Sequence, residues 1–411
     1  MTAAAVTAVR ALSRPVRFCG LRRRTRHRQL GVRNPAGPVA AYRTDRIVAL
    51  VPRFRSLPLD RLPLPLQTAA FRTVLALPRP IRRTIAGSAA RIDHQEQDLD
   101  AQLVTRLMRV VGIDPFGDPV ARARTHTDAG GIIAGGASSA AGMAVREVII
   151  PAAGHDIPAT LYSPSGLPED AGLLAFYHGG GWCVGSRRSH EPVARFLAEN
   201  ASVRVLSIEY RLAPEHPFPA AVDDAVTAFD YAHAHASELG ADPARIAVGG
   251  DSAGGNLAAV VAQHAAHTGG PAPAFQLLIY PATDFEAQTP SRRLFAEGFF
   301  LSDDNIAWSR ANYLPAGADP TDPRLSPLYG DVGGVAPAYV ATAGFDPLRD
   351  EGESYAEKLT AAGVPVTRDR YSDLPHGYVN LLGIGGRARQ AVLAAAHALR
   401  AGLAEPVGRQ P

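Results

Sequence analysis

From about residue 145 to residue 403, short apolar runs alternate with helix-length segments whose apolar residues recur every three or four positions. The runs Gly172–Tyr177, Val203–Tyr210, Arg245–Gly249, Phe275–Tyr280, Ala338–Ala343 and Val364–Tyr371 read as short buried strands. Between and after them, Ser189–Asn200, Ala220–Glu238, Ala253–His267, Glu353–Ala362 and Arg387–Leu403 read as helices. In the helix over Ala220–Glu238, Val222, Val226, Phe229 and Ala232 fall on one face. Such alternation demands a mostly parallel sheet covered by helices on both faces, because a parallel crossover needs a helix to bury each side. Val145–Ile150 and Ile157–Tyr162, joined by a turn at Gly154, add an antiparallel pair at the start.

Two segments break the rhythm. Leu66–Gly112 is expected to be largely helical, interrupted at Pro78 and Pro80, and Ala129–Gly142 is expected to be a Gly/Ala/Ser-rich loop. Asp284–Leu314 interrupts the strand–helix alternation and carries Phe295, Phe299, Phe300 and Trp308, so it reads as an excursion lying over the sheet. The domain expectation is therefore a basic, disordered extension over residues 1–60, then a helical segment and linker over 61–140. A strand–helix domain follows over 141–405, with an insertion at about 284–314.

Charge adds one exclusion. The chain carries 42 basic and 39 acidic residues, but nine of its arginines and no acid lie in residues 1–33. The remainder is net acidic by six. A nucleic-acid-binding protein normally carries its positive charge on the folded body, so no nucleic-acid partner is expected. The arm reads as a solvated tail, with a weak peripheral membrane contact as its sharper alternative. No apolar stretch approaches the length of a membrane span, and no apolar core follows the basic start as in a secretory signal. Cys19 and Cys183 alone form no disulfide framework and no metal motif. The expected compartment is the cytoplasm.

Gly250-Asp251-Ser252-Ala253-Gly254 is the motif with most chemical content. It directly follows the strand Ile246-Ala247-Val248 and opens the helix from Ala253. A serine presented on so sharp a strand-to-helix turn needs glycines around it to avoid clashes. Its rival reading is a Gly-rich turn that caps a helix. A serine hydroxyl is a weak nucleophile and needs a base, which in turn needs an orienting acid. Asp346 follows one strand end and His376 the next, in the chain order Ser, acid, His. Asp350 and Glu351 compete for the acid role but fall at a helix start, where acids complement the helix dipole. His397 competes for the base role but sits inside a helical pattern.

His178-Gly179-Gly180-Gly181 follows another strand end. Bare glycine N–H groups approach a developing oxyanion closely, and the N–H of Ala253 converges with them. A phosphate-cradling loop is the rival, but the run lacks the Gly-Lys-Ser/Thr that completes one. His233/His235 and His264/His267 come without acidic partners, so no metal site is expected.

These residues together resemble the hormone-sensitive-lipase-like carboxylesterases, the bacterial family IV esterases. The likeness rests on His178-Gly-Gly-Gly181-Trp182, the stretch from Tyr210 through Glu215 to Ala221, Gly250-Asp-Ser-Ala-Gly-Gly-Asn256, Asp346-Pro-Leu-Arg-Asp-Glu351 and His376-Gly-Tyr378. It covers residues 140 to 405. The resemblance implies an α/β-hydrolase fold with a helical cap, a Ser252–His376–Asp346 triad, and oxyanion donors from Gly179, Gly180 and Ala253. It implies no cofactor. The implied reaction is hydrolysis of a small-molecule ester of short or medium chain through an acyl-enzyme. A lipase or an arylamide deacetylase is the near alternative, and a non-catalytic small-molecule receptor on the same scaffold the distant one. Tyr378 departs from the phenylalanine common in the family.

Overall fold

The structure is a computed structural model and describes residues 63–136 and 142–404. The expected basic extension, residues 1–60, lies outside the described residues. Helix α1 (Leu64–Leu75) ends ahead of Pro78, and α2 (Arg79–Ala86) begins with Pro80 in its first turn. Proline is tolerated there because the first N–H groups of a helix have no acceptor. A two-residue ribbon pairs Arg91–Ile92 with Gln95–Glu96. Helix α3 (Leu99–Val111) opens on Asp98, whose carboxylate accepts the N–H groups of Asp100 and Ala101 at 3.0 Å each. It closes on Gly112 at φ +72°, a left-handed cap that glycine adopts without strain. Leu99 and Leu103 are buried in a cluster with Ala86, and Leu107 packs beside it.

Helix α4 (Val120–Gly135) corrects the expectation of a loop from Ala129. Two of its three glycines are there for close approach. A Cβ on Gly131 would overlap the carbonyl oxygen of Ser189, and one on Gly135 would come within 2.5 Å of the Pro192 ring. Tertiary packing overrides the low helix propensity of glycine here.

The central sheet has eight strands: β1 (Met143–Ala152), β2 (His155–Pro164), β3 (Ala171–Tyr177), β4 (Arg204–Ile208), β5 (Ala241–Asp251), β6 (Phe275–Ile279), β7 (Ala338–Phe345) and β8 (Val366–Pro375). Their spatial order is β8-β7-β6-β5-β3-β4-β2-β1. The β1–β2 and β2–β4 pairs are antiparallel and all others parallel. Helices α5 (Glu191–Ala201), α6 (Ala220–Ala234) and α7 (Ala253–Thr268) follow β3, β4 and β5. Two short helices, α8 (Pro290–Leu294) and α9 (Asp303–Tyr313), interrupt the crossover from β6 to β7. Helices α10 (Arg349–Ala361) and α11 (Gly385–Gly402) complete the sheet cover.

Period-two alternation divides the core. Leu173, Ala175 and Tyr177 of β3 pack into one apolar cluster with residues of α6, α7 and α10. Leu174 and Phe176 pack into the other with residues of α5 and α11. Both faces of β3 are fully buried, which is why its sequence reads as an unbroken apolar run. Parallel strands bring their carboxyl ends to one edge. The loops that carry Gly179, Ser252, Asp346 and His376 all leave from that edge. Among the described residues no helix is long and apolar enough to cross a membrane.

Candidate active site

Ser252 caps α7 with φ +55° and ψ −117°. A non-glycine residue at positive φ is strained, and it persists only where the surroundings over-determine it. Those surroundings are backbone. A Cβ on either Gly250 or Gly254 would overlap the carbonyl oxygen of Tyr177 on β3. The Ser252 N–H donates to the Ile279 carbonyl of β6 at 2.9 Å. Asn256, one turn into α7, donates to the carbonyls of Ala282 at 2.8 Å and Leu325 at 2.7 Å, tying the helix start to the loops around it.

His376 lies just past β8. Its Nε2 is 2.9 Å from Ser252 Oγ, and its Nδ1 is 2.8 Å from Asp346 Oδ2. Asp346 is fully buried just past β7, and its other oxygen accepts the Leu348 N–H at 2.8 Å. The Tyr280 ring packs 4.6 Å from the imidazole and holds it in place. The rival acids point elsewhere. Asp350 accepts the Ser291 N–H at 2.8 Å, and Glu351 accepts the Thr283 N–H at 2.9 Å. His397 is exposed on α11, far from any strand end.

The glycine run is placed beside Ser252, but one of its expected donors is already used. The Gly179 N–H donates to Asp251 Oδ1 at 2.9 Å. Gly179 is therefore corrected from an oxyanion donor to an anchor of the loop. The N–H groups of Gly180 and Gly181 meet no acceptor among the described residues. That of Ala253 sits in the first turn of α7, where a helix offers none. Gly180 has φ +130° and Gly181 φ +58°, and a Cβ on them would overlap the Val184 carbonyl oxygen and Ser309 Oγ respectively. Only glycine satisfies both the backbone and the space.

His178 is fully buried and stacks on Tyr210 at 4.4 Å. The Tyr210 hydroxyl donates to the His178 carbonyl at 2.7 Å, fixing the strand end from which the run departs. Burial pushes the His178 imidazole below its ordinary value.

Beneath the loop lies a buried polar group that the motifs alone do not reveal. Asp251 accepts from Gly179, lies 3.2 Å from His190 Nε2, and accepts the Tyr280 hydroxyl at 3.3 Å. Burial raises its carboxyl, but His190, the Gly179 N–H and His376 outweigh that and hold it below the usual carboxylate value. His190 stands 61 positions before Asp251 with no spacing rule between them, so only the fold pairs them.

A narrow cavity of about 50 Å³ adjoins Ser252. Phe116, Trp182, Phe285, Leu301, Ile306 and Leu348 supply its apolar wall, several of them from the 284–314 excursion. Trp182 stacks on Tyr313 of α9 with centroids 4.6 Å apart and rings 4° from parallel. Asp284, Arg292, Arg310 and Glu351 also line it, although the surface it exposes is mostly apolar. No group of three or more His, Cys, Asp or Glu residues suited to a metal occurs among the described residues.

This arrangement suits acyl transfer: a strained serine, a histidine within hydrogen-bond reach, a buried acid behind it, and a neighbouring glycine loop with N–H groups that meet no acceptor among the described residues. Comparison with known proteins agrees. Residues 174–380 match the family model described as alpha/beta hydrolase fold. The chain is 46% identical over 337 residues to the carboxylic ester hydrolase LipN of Mycobacterium tuberculosis, covering 80% of this chain and 89% of that one. It is 46% identical over 230 residues to the carboxylesterase NlhH of the same species, covering 55% and 72%. A solved alpha/beta hydrolase enzyme from the metagenome of Lake Arreo superposes with TM-score 0.71 at 39% identity, over 74% of this chain and 98% of that chain. Fold, motif order and relatives converge: the chain belongs to the hormone-sensitive-lipase-like carboxylesterases of the α/β-hydrolase fold, and is a serine ester hydrolase.

Proposed function

We propose that Ser252, His376 and Asp346 are the catalytic triad of this ester hydrolase, and that the N–H groups of Gly180, Gly181 and Ala253 hold the oxyanion. The observation that carries the reading is the continuous hydrogen-bonded chain from buried Asp346 through His376 to Ser252 Oγ, at 2.8 and 2.9 Å. His376 Nε2 takes the hydroxyl proton as Ser252 Oγ attacks the ester carbonyl carbon. Asp346 holds the imidazole by Nδ1 and stabilises its cation. The carbonyl oxygen gains negative charge where the three N–H groups converge, a contribution worth about 3–4 kcal/mol per donor in a well-studied case. Collapse expels the alcohol, which receives the proton from His376. Water then adds to the acyl-enzyme by the same route and releases the acid, so one ester and one water give one acid and one alcohol.

The small cavity supports short- to medium-chain substrates, the excursion and N-terminal helices serving as a cap over the site. Ser252→Ala should lower kcat/KM for p-nitrophenyl butyrate by at least about 10³-fold and abolish labelling by a fluorophosphonate. Equal turnover by wild type and Ser252→Ala would overturn the assignment. We also place the protein in the cytoplasm, since its two cysteines call for no oxidising compartment. Deleting residues 1–33 should leave kcat/KM unchanged and remove any binding to anionic vesicles at low salt.

A further inference from the structure

Ester hydrolysis needs no charge beyond the chain of Asp346, His376 and Ser252, yet the cavity beside Ser252 carries ionisable groups of both signs. Two of them are incompletely satisfied. Glu351 is 1% exposed. Its Oε1 accepts the N–H groups of Thr283 at 2.9 Å and Asp284 at 3.3 Å, but Oε2 has no hydrogen-bond partner among the described residues. Arg292, on α8, buries its Nη1 with no hydrogen-bond partner among the described residues. The carboxylate facing that nitrogen belongs to Asp303, 4.0 Å away and largely exposed.

Had Arg292 been placed only to neutralise Glu351, the two would be bonded to one another. They are near enough that the guanidinium lowers the Glu351 carboxyl, yet burial outweighs it and pushes that carboxyl up to about 8. Near neutral pH Glu351 is therefore mostly a neutral acid. The remaining charges on the wall are Arg292, Arg310 and Asp284, a net of one positive. Arg310 is committed to the Phe285 carbonyl, and Asp284 accepts the Glu286 N–H at 2.8 Å. Arg292 is thus the cation on this wall with a buried nitrogen left without an acceptor among the described residues. Leaving a buried donor unmatched is unfavourable, and a ligand group that matches it recovers that cost.

We propose that Arg292 and Glu351 form a subsite for a free carboxylate, so that the enzyme takes small esters bearing a second, unesterified carboxylate on the arm that enters this cavity. Arg292 Nη1 donates to the carboxylate, and Glu351 Oε2–H donates beside it. The cavity's size limits that arm to a few carbons. This substrate class rests on the Ser252 reading above.

Two matched pairs, followed by pH-stat at pH 7, test the two sides of the ester. Monoethyl glutarate against ethyl valerate places the carboxylate on the acyl side. 4-Acetoxybutyrate against butyl acetate places it on the alcohol side. In at least one pair the charged ester should have the higher kcat/KM. Arg292→Met should cut turnover of that ester about tenfold or more beyond any loss it causes for the neutral partner. Arg292→Lys should restore part of the preference. A neutral preference in both pairs overturns the proposal, as does an Arg292→Met loss equal for charged and neutral esters. Calorimetric binding of glutarate to the Ser252→Ala protein gives a readout without turnover. Weaker binding in the added Arg292→Met background supports the subsite, and absent or unchanged binding refutes it. Failure of the Ser252 reading looks different: p-nitrophenyl butyrate is then untouched, or is cleaved as fast by Ser252→Ala.

Discussion

Replacing Asp251 with alanine removes the single acceptor beneath the glycine run. Three groups lose their partner: the Gly179 N–H at 2.9 Å, His190 Nε2 at 3.2 Å and the Tyr280 hydroxyl at 3.3 Å. All lie where water does not reach, since Asp251 and His190 are each 2% exposed. An orphaned buried N–H costs about 1–3 kcal/mol, and breaking a buried acid–histidine pair by removing one partner costs about 3–5 kcal/mol. These overlap rather than add, so the expected loss is about 3–5 kcal/mol, a large part of a typical domain's 5–15 kcal/mol. For a chain this size that is a fall in Tm of roughly 4–7 °C, readable by scanning fluorimetry. The loop anchored at Gly179 also shifts, taking Gly180 and Gly181 with it, so kcat/KM for p-nitrophenyl butyrate should fall about 100-fold. Asp251→Asn keeps an oxygen for Gly179 and offers an amide to Tyr280. It should lose about 1 kcal/mol and less than tenfold in rate. The carboxyl is held below its ordinary value of 3.8, so the stability it lends is present above that value and is lost as the pH falls through its lower folded value. The acid limb of the Tm profile should therefore flatten in Asp251→Asn. If Asp251→Ala melts within 1 °C of wild type and turns over normally, the anchoring argument is wrong.

Glu351 gives the opposite pH signature. Its carboxyl is raised from 4.5 to about 8 by burial, so the folded protein holds a proton that the unfolded chain has lost, and stability falls as the pH rises through that interval. Glu351→Gln should be the more stable protein at pH 9, by a few kcal/mol in order of magnitude, and parallel Tm–pH curves would refute this. Gly181→Ala forces a Cβ onto Ser309 Oγ at a φ of +58°, so kcat/KM should fall about 100-fold with little change in Tm; unchanged turnover would remove Gly181 from the oxyanion site. Gly131→Val pushes α4 off the Ser189 backbone, which no side-chain rotation relieves, and should cost about 1–3 kcal/mol in urea denaturation.

Local pattern by itself determined the parallel sheet, because strands buried on both faces must be apolar throughout and their crossovers must be amphipathic helices. It also singled out Ser252, Asp346 and His376, which the fold brings within hydrogen-bond distance of one another. Each lies at a strand's carboxyl end, and the order of motifs along the chain survives folding. Where side chains from distant segments meet at close range, pattern was silent. Gly179 looked like its two neighbours until Asp251 claimed its N–H at 2.9 Å. The glycines of α4 read as loop because the groups that Gly131 and Gly135 let approach, the Ser189 backbone and the Pro192 ring, lie more than fifty residues away. Glu351 looked like a helix-start acid, yet it is buried against the loop after β6, with Arg292 on the same wall. Such pairings depend on the path of the chain between the segments, and periodicity does not encode that path. The reaction was therefore legible in the sequence. The lining of the cavity beside Ser252 was decided only when the segment around α8 and α9 folded back against it.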